Sequence, residues 1–180
     1  HTNLEKAQTH LENDNPRHYF QVMFYDMMND VHYFIRRNNG SLDGIEKIAK
    51  EWITAVSPAI PHIAEELWEK FKGPGFVSTS TWPKFKKNKI NKEIEEAEKT
   101  IQKTMSDINQ ILQITNKKSA KTIYIYVIPP ELKKYKEAES FLSGIFNTKV
   151  QVFASNDENK IDPDNKASKA KFGKPGIYLN

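Results

Sequence analysis

The sequence has 180 residues, of which 38% are hydrophobic and 28% charged, and its formal net charge is +4. It contains no cysteine, which excludes disulfides, thiolate nucleophiles and cysteine-ligated zinc. No apolar stretch approaches the roughly 18 residues of a membrane-spanning helix, and the first residues do not resemble a signal peptide. We therefore expect one or two globular domains in the cytoplasm. Because the chain opens on His, we also expect it to be a piece of a longer protein.

The first 116 residues are dominated by helical periodicity. Apolar residues recurring every three or four positions predict helices near 3–13, 17–37, 41–57, 61–71 and 90–112. Asn15 is expected to cap the second helix, with Pro16 in its first turn. The predicted buried face of that helix consists of Phe20, Met23, Phe24, Met27, Val31, Phe34 and Ile35. These elements together predict a bundle of four or five helices.

The stretch SPAIP, residues 57–61, interrupts the helical pattern with two prolines. Pro58 disfavours helix at Ser57, whereas Pro61 suits the first turn of a new helix, where its missing N–H costs little. The stretch therefore predicts a tight corner that turns two apolar helix faces toward each other. Trp68 on the second of these faces is expected to be a core residue.

After Asn116 the period changes from helical to alternating. The segment 122–128 (TIYIYVI) is β-branched and aromatic on both faces, as expected for a central, covered strand. A helix from Leu132 that closes at Gly144, a strand over 150–154, a short helix over 162–171 and a last strand over 175–179 follow. The predicted fold class is mainly α: a helix bundle over 1–116, followed by a small α/β domain over 117–180.

No catalytic constellation is found in the sequence. The glycines form no phosphate-binding loop, and the five histidines show no metal-ligand spacing. Glu65 and Glu66 are neighbours on a predicted helix and point about 100° apart, so a solvated face is expected rather than an acid–base pair. His62 is expected to be a packing or capping residue. We predict that the chain is not catalytic by itself and holds no metal or cofactor.

The charge is concentrated at the end of the chain. Residues 117–180 contain 12 lysines and seven acidic residues, a net charge of +5, whereas residues 1–116 have a net charge of −1. Lysines cluster over 84–92, over 117–121 (the linker) and over 166–174 (the tail). This arrangement is suited to binding a phosphate backbone. Arg36 and Arg37 add fork-shaped donors at the end of an aromatic-rich helix, and Tyr178 could stack on an unpaired base. The clustered lysines are Lys84, Lys86, Lys87, Lys89, Lys92, Lys117, Lys118, Lys121, Lys166, Lys169, Lys171 and Lys174.

The corner sequence SPAIPHIAEELW (57–68), followed by TWP (81–83), resembles the anticodon-binding helical domain of class I aminoacyl-tRNA synthetases of the leucyl, valyl, isoleucyl and methionyl group. In that family the usual run reads Pro-Phe-Ala-Pro-His-Ile-Ala-Glu-Glu-Leu-Trp. Ala59-Ile60 replaces Phe-Ala here, and the position stays apolar. The likeness covers residues 15–115 and implies a helical domain that lies along a tRNA.

The end of the chain, DPDNKASKAKFGKPGIYLN, resembles the C-terminal domain of leucyl-tRNA synthetases of the archaeal and eukaryotic type. The resemblance implies that this domain reaches the long variable arm of tRNA(Leu). It also implies that ATP, Mg²⁺ and the catalytic and editing domains belong to an upstream part. The predicted tRNA-binding residues are Arg36, Arg37, Lys117, Lys118, Lys121, Lys171, Lys174, Ile177, Tyr178, Leu179 and Asn180.

Three alternatives stay open at this point. The chain could be the same fragment of a valyl, isoleucyl or methionyl enzyme, although the IYL ending favours the leucyl one. It could instead be a helical protein–protein scaffold with a merely soluble basic end, which salt-dependent polyanion binding would exclude. An independent enzyme is the third alternative.

Overall fold

The computed structural model describes residues 1–180 except for the side chain of Lys47. The chain forms two compact units, His1–Ile90 and Asn91–Asn180. The helices and strands are α1 (Thr2–Glu12), α2 (Pro16–Phe20), a π-helical segment (Gln21–Asp26), α3 (Met27–Arg37), α4 (Ile45–Val56), α5 (Pro61–Lys70), α6 (Lys92–Ile114), β1 (Thr122–Val127), α7 (Leu132–Phe146), β2 (Lys149–Ala154) and β3 (Gly176–Leu179). Helices followed by a small α/β part confirm the predicted fold class.

The boundary between the units differs from the predicted division at residue 116. That prediction follows the change of period after Asn116, whereas α6 belongs to the same compact unit as the sheet. A buried pair explains the grouping, since the Thr104 hydroxyl of α6 lies 2.8 Å from the Tyr135 hydroxyl of α7. As a functional division, residue 116 stays a prediction.

Asn15 caps the run of helix that includes α2 and α3, as predicted. Its side-chain oxygen accepts from the backbone N–H of His18 at 3.4 Å. The π-helical segment Gln21–Asp26 between the two helices was not predicted. A π turn holds one more residue than an α turn, so it shifts the side chains beyond it around the helix axis.

The buried side chains of the run differ from the predicted face, both before and after the π-helical segment. Tyr19, Val22 and Met23 are buried, whereas Phe20 is 41% exposed and Phe34 is 40% exposed. The prediction that Phe20 and Phe34 belong to the buried face was therefore wrong. A constant period of 3.6 cannot be extended through a π turn.

The proline corner is confirmed. α4 ends at Val56, α5 begins at Pro61, and the Val56 carbonyl accepts from the N–H of Ala59 (2.9 Å) and of Ile60 (3.3 Å). Helix α4 contributes to two small cores. Their buried members are Leu4, Ala7, Tyr19, Val22, Met23, Ala55 and Val56 in one, and Ile53, Ala64, Trp68 and Val77 in the other.

Trp68 is buried, with 7% exposure, which confirms the predicted core position. Its indole N–H donates to the Pro74 carbonyl at 3.3 Å. A Cβ at Gly73 would lie 2.1 Å from the ring, so only glycine lets the chain pass so close to the indole. His62, by contrast, is exposed, and its predicted packing role is not observed.

In the second unit the strand order is β2-β1-β3, so β1 is the central strand, as predicted. β2 pairs parallel to β1 and β3 pairs antiparallel to it. Every residue of Ile123–Val127 is buried. The edge of β2 is also occupied, because Ser143 Oγ and Glu139 Oε2 of α7 each accept at 3.1 Å from the N–H groups of Val150 and Val152.

Two helix predictions in this unit were wrong: the end of one helix and the existence of another. α7 continues past Gly144 to Phe146, because Asn147 adopts the left-handed conformation (φ 48°, ψ 42°) that ends a helix. The predicted helix over 162–171 is only a 3₁₀ turn, Ala167–Lys169. The Asp162 carboxylate fixes this loop instead, accepting from the N–H groups of residues 166 (2.7 Å) and 167 (2.8 Å).

Candidate nucleic-acid interface

The predicted tail lysines Lys171 and Lys174 face each other across a two-residue turn. Each accepts the other's backbone N–H at 2.9 Å, and Gly173 at the turn takes a φ of +65°. Both lysines are exposed. The structure therefore brings these two predicted site residues together at one loop tip.

The predicted residues Ile177–Asn180 are ordered as β3 and its end. Ile177 and Leu179 lie opposite Ile125 and Ile123 of β1, so their side chains share a sheet face with those isoleucines. Each of the two is only partly buried. Ile177 and Leu179 therefore have a structural role in the pairing of β3 with β1.

Tyr178 lies on the other sheet face, opposite Tyr124. The two rings stack with centroids 5.9 Å apart, and Phe153 stacks on Tyr124 from the other side at 6.4 Å. Tyr178 and Phe153 are partly exposed. The predicted stacking residue therefore belongs to an aromatic row along the sheet, whose members are Phe153, Tyr124 and Tyr178.

Tyr126 lies next to this row: its ring centroid is 6.4 Å from that of Phe153, and its hydroxyl donates to the carbonyl of Ile161. Burial raises the pKa of Tyr126 well above its usual range, and the negative charge of Asp162 adds to the rise. This phenol therefore stays protonated and acts as a structural hydrogen-bond donor.

The linker lysines Lys117, Lys118 and Lys121 are exposed. The N–H of Lys121 donates to the carbonyl of Asn180 at 2.8 Å, and the N–H of Asn180 donates to the carbonyl of Thr122 at 3.0 Å. The linker and the final residue are thus joined through the backbone. The linker and residues 179–180 therefore meet at this end of the sheet, whereas the lysines Lys171 and Lys174 precede Gly176, which pairs with Tyr126 at the other end of β1.

Arg36 and Arg37 lie in the last turn of α3, within the His1–Ile90 unit. Arg36 is exposed and Arg37 is partly buried. The lysine-rich loop 84–92 contains a 3₁₀ turn, Lys87–Lys89, and its lysines are solvent-accessible. Arg36, Arg37 and the loop lysines up to Lys89 lie in the His1–Ile90 unit, whereas Lys92 and the tail lie in the Asn91–Asn180 unit, so each unit presents its own basic residues.

Two residues of the site were missed by sequence reasoning. Phe172, between the tail lysines, is 80% exposed. Glu131 is 3% exposed, and both its carboxylate oxygens accept from the N–H of Gly173 (3.1 and 3.3 Å). The glycine of KFGK could have revealed the turn, since glycine is one of the strongest turn signals in a sequence. No local signal reveals Glu131, because it lies 42 residues away.

Within the part of the chain that the structure describes, no group of three or more His, Asp or Glu side chains is arranged to hold a metal ion. None of the described helices is both long enough and apolar enough to span a bilayer. The geometry is that of a helical unit joined to a basic α/β unit with exposed lysines and partly exposed aromatic rings.

A family profile for the anticodon-binding domain of tRNA ligases matches residues 1–127. The chain therefore belongs to this family of anticodon-binding domains, and the recognised resemblance is confirmed. The matching relatives include leucine–tRNA ligases of archaea, and the matched region is their C-terminal part.

The leucine–tRNA ligase of Pyrococcus horikoshii is 36% identical over 141 residues, which cover 76% of this chain and 14% of that protein. That of Methanothermobacter thermautotrophicus is 30% identical over 131 residues, which cover 70% of this chain and 14% of that protein. That of Methanothrix thermoacetophila is 25% identical over an alignment of 231 residues, which covers 94% of this chain and 24% of that protein. The chain spans about a seventh of the first of these relatives.

Proposed function

We propose that the chain is the tRNA-binding C-terminal part of a leucyl-tRNA synthetase and that it holds tRNA(Leu), body and long variable arm, for aminoacylation elsewhere. The observation that carries this proposal is the likeness to archaeal leucine–tRNA ligases, which for that of Methanothrix thermoacetophila, at 25% identity, extends over 94% of the chain. It includes the basic α/β unit, which the family profile reaches only as far as residue 127.

The mechanism we propose is positioning. Lysines of the tail and the linker hold phosphates without reading sequence, and the ordered β3 fixes where the tail stands relative to the sheet. Leucine, ATP and Mg²⁺ bind in an upstream catalytic domain, and this domain and an upstream editing domain are partners of this chain in the same cytoplasmic protein. The chain itself contributes no chemical step.

The test is the affinity of the 180-residue chain for tRNA(Leu), for the same tRNA with a shortened variable arm, and for a tRNA whose arm is naturally short. Each is measured by fluorescence anisotropy at low and at moderate salt. Preference for the intact arm, together with a steep loss of affinity as salt rises, is expected. Equal affinity for all three would contradict leucine specificity, and salt-independent or absent binding would favour the scaffold.

Paired substitutions locate the contact better than truncation does. Deleting residues 177–180 would remove the partner strand of β1, so a loss of binding could reflect misfolding. Lys171→Ala with Lys174→Ala leaves the backbone turn in place. If both lysines contact phosphates, the magnitude of the slope of log affinity against log salt falls by about 1.4–1.8. Lys117→Ala with Lys118→Ala is the matched pair for the linker.

A further inference from the structure

Phe172 has the largest exposed fraction, 80%, among the large hydrophobic side chains that the structure describes. Exposed phenylalanines are common on protein surfaces, but this one stands at a loop tip between Lys171 and Lys174. Hydrogen bonds of Lys171, Gly173 and Lys174 hold the backbone of this turn in place. The question is what a fixed, exposed aromatic ring among lysines recognises.

The turn that carries Phe172 is held at three points. The backbone groups of Lys171 and Lys174 exchange two hydrogen bonds of 2.9 Å. The N–H of Gly173 donates to the buried Glu131 carboxylate. Beyond the turn, a Cβ at Gly176 would lie 2.2 Å from the Lys166 carbonyl oxygen, so the following backbone is closely packed. An ordered turn presents the ring in advance, which lowers the entropic cost of binding.

Glu131 also places a positive charge beside the ring. Its Oε1 lies 2.6 Å from Lys134 Nζ, and that ammonium lies 5.8 Å from the Phe172 ring centroid. The same Nζ lies 5.6 Å from the ring centroid of Tyr135. Glu131 is therefore a positioning residue: through one carboxylate it orients both the turn and Lys134.

We propose that Phe172 is a stacking platform for an unpaired RNA nucleobase, with Lys134, Lys171 and Lys174 supplying charge for the adjoining phosphates. Every nucleobase has a π face, so an exposed ring accepts bases with little sequence preference, and lysines near it match the backbone charge. RNA recognition by proteins commonly uses aromatic stacking on bases in loops and bulges. This inference rests on the proposed function and names a residue that carries it.

A protein partner fits this surface less well. Anchor residues of protein interfaces stand within a surrounding ring of contacts that excludes water, and lysine is depleted from such interfaces. Phe172 instead has a lysine before it and another two residues after it. Charge and isolation both favour a polyanion that carries flat rings.

The experiment uses the 180-residue chain and two RNA probes of equal length. One is a hairpin with 2-aminopurine in an unpaired loop, whose fluorescence is quenched when the base stacks, and the other is a blunt duplex. The substitutions are Phe172→Ala, Phe172→Leu, which keeps apolar surface without a π face, and Phe172→Tyr, which keeps the π face. Phe76→Ala is the matched control, because Phe76 is 68% exposed and lies in the His1–Ile90 unit.

Phe172→Ala and Phe172→Leu are expected to weaken hairpin binding about 5- to 100-fold and to abolish the quenching. Phe172→Tyr and Phe76→Ala should leave the hairpin affinity and the quenching within about twofold of their original values. The affinity for the duplex should not depend on residue 172. Circular dichroism checks that each variant is folded.

Hairpin binding and quenching that survive Phe172→Ala would overturn the stacking platform while leaving the proposed function standing. Hairpin affinity and quenching that are unchanged in Phe172→Leu would equally overturn it, since apolar contact would then suffice. Failure of the unsubstituted chain to bind tRNA or either probe would overturn the proposed function first and the platform with it. A Phe172→Ala variant that keeps RNA affinity but loses a protein partner would assign the ring to a protein interface.

Discussion

The two units of the molecule fix their irregular segments with the same device in different surroundings. In the His1–Ile90 unit the Glu65 carboxylate accepts from the N–H groups of Val77 (2.8 Å) and Ser78 (3.0 Å). In the Asn91–Asn180 unit the Glu131 carboxylate accepts from Gly173. Glu65 is partly exposed and Glu131 is buried, so the same hydrogen-bond pattern contributes differently to stability.

Their cores differ in a related way. The helical unit has no sheet in its described residues and joins its segments through polar tips of large aromatic side chains, as when Trp52 Nε1 donates to the Met23 carbonyl at 3.0 Å. In the second unit the strand ladder supplies the long-range connections, and β1 is buried along Ile123–Val127. Where the backbone groups pair only within helices, side-chain hydrogen bonds connect distant segments in place of a strand ladder.

The largest expected effect is that of removing the buried Trp68 side chain of the helical unit. Trp68→Ala removes a buried ring and its hydrogen bond to Pro74, and should lower the free energy of unfolding by about 3–5 kcal/mol. Urea denaturation followed by far-ultraviolet circular dichroism measures it. Phe76→Ala is the control, with an expected change within about 0.5 kcal/mol. A loss below about 1 kcal/mol for Trp68→Ala would mean that the ring does not hold this core together.

The buried carboxylate of the second unit should come next. Glu131→Ala leaves the N–H of Gly173 and the Lys134 ammonium without their acceptor, and should cost about 1.5–3 kcal/mol. Glu131→Gln retains an acceptor and should cost less. Urea denaturation gives both values, and amide hydrogen exchange at Gly173 shows whether the turn itself opens. Equal stability of the alanine variant and the original chain would contradict a structural role for this carboxylate.

The sequence was informative wherever a pattern is local. The proline corner, the Asn15 cap, the central position of β1 and the final strand all follow from residues close together in the chain, and the structure contains each of them. The family resemblance rests on equally local strings and is confirmed. What it implied about individual tRNA-binding residues stays a prediction, because contacts with RNA depend on a second molecule.

What the sequence did not reveal is long-range or irregular. Glu65 was expected on a solvated face, yet its partners lie 12 and 13 residues away. The π-helical segment has no periodic signature, since it changes the period itself. Asp162 was expected to begin a helix but binds backbone N–H groups of a loop, a competing use of the same short side chain.

Alkaline pH provides a third comparison, between one buried tyrosine in each unit. Burial raises the pKa of Tyr19 to about 12 and that of Tyr135 to about 12, although the Thr104 hydroxyl opposes the rise at Tyr135. The unfolded chain ionises these phenols near pH 10 and the folded chain only near pH 12, so stability falls as pH rises between these values.

Each phenol should account for about 1 kcal/mol of that loss at pH 11. Tyr19→Phe and Tyr135→Phe should therefore lose less stability than the original chain between about pH 9 and about pH 11. Thermal melts at the two pH values measure the difference for each unit. Identical pH dependence in a variant and the original chain would show that the replaced phenol titrates normally.

The smallest effect is expected at the exposed carboxylate of the helical unit. Partial desolvation alone would raise the pKa of Glu65, but the N–H groups of Ser78 and Val77 and the Ser78 hydroxyl together lower it below its ordinary value of 4.5. The contribution of Glu65 is therefore complete above that value and is lost as pH falls through the lowered pKa. Glu65→Gln keeps the shape but not the charge, so its melting temperature should fall less than that of the original chain on acidification. Glu66→Gln, on the exposed neighbour, is the matched control, and an identical acid response in both variants would show that the hydrogen bonds of Glu65 do not favour its charged form.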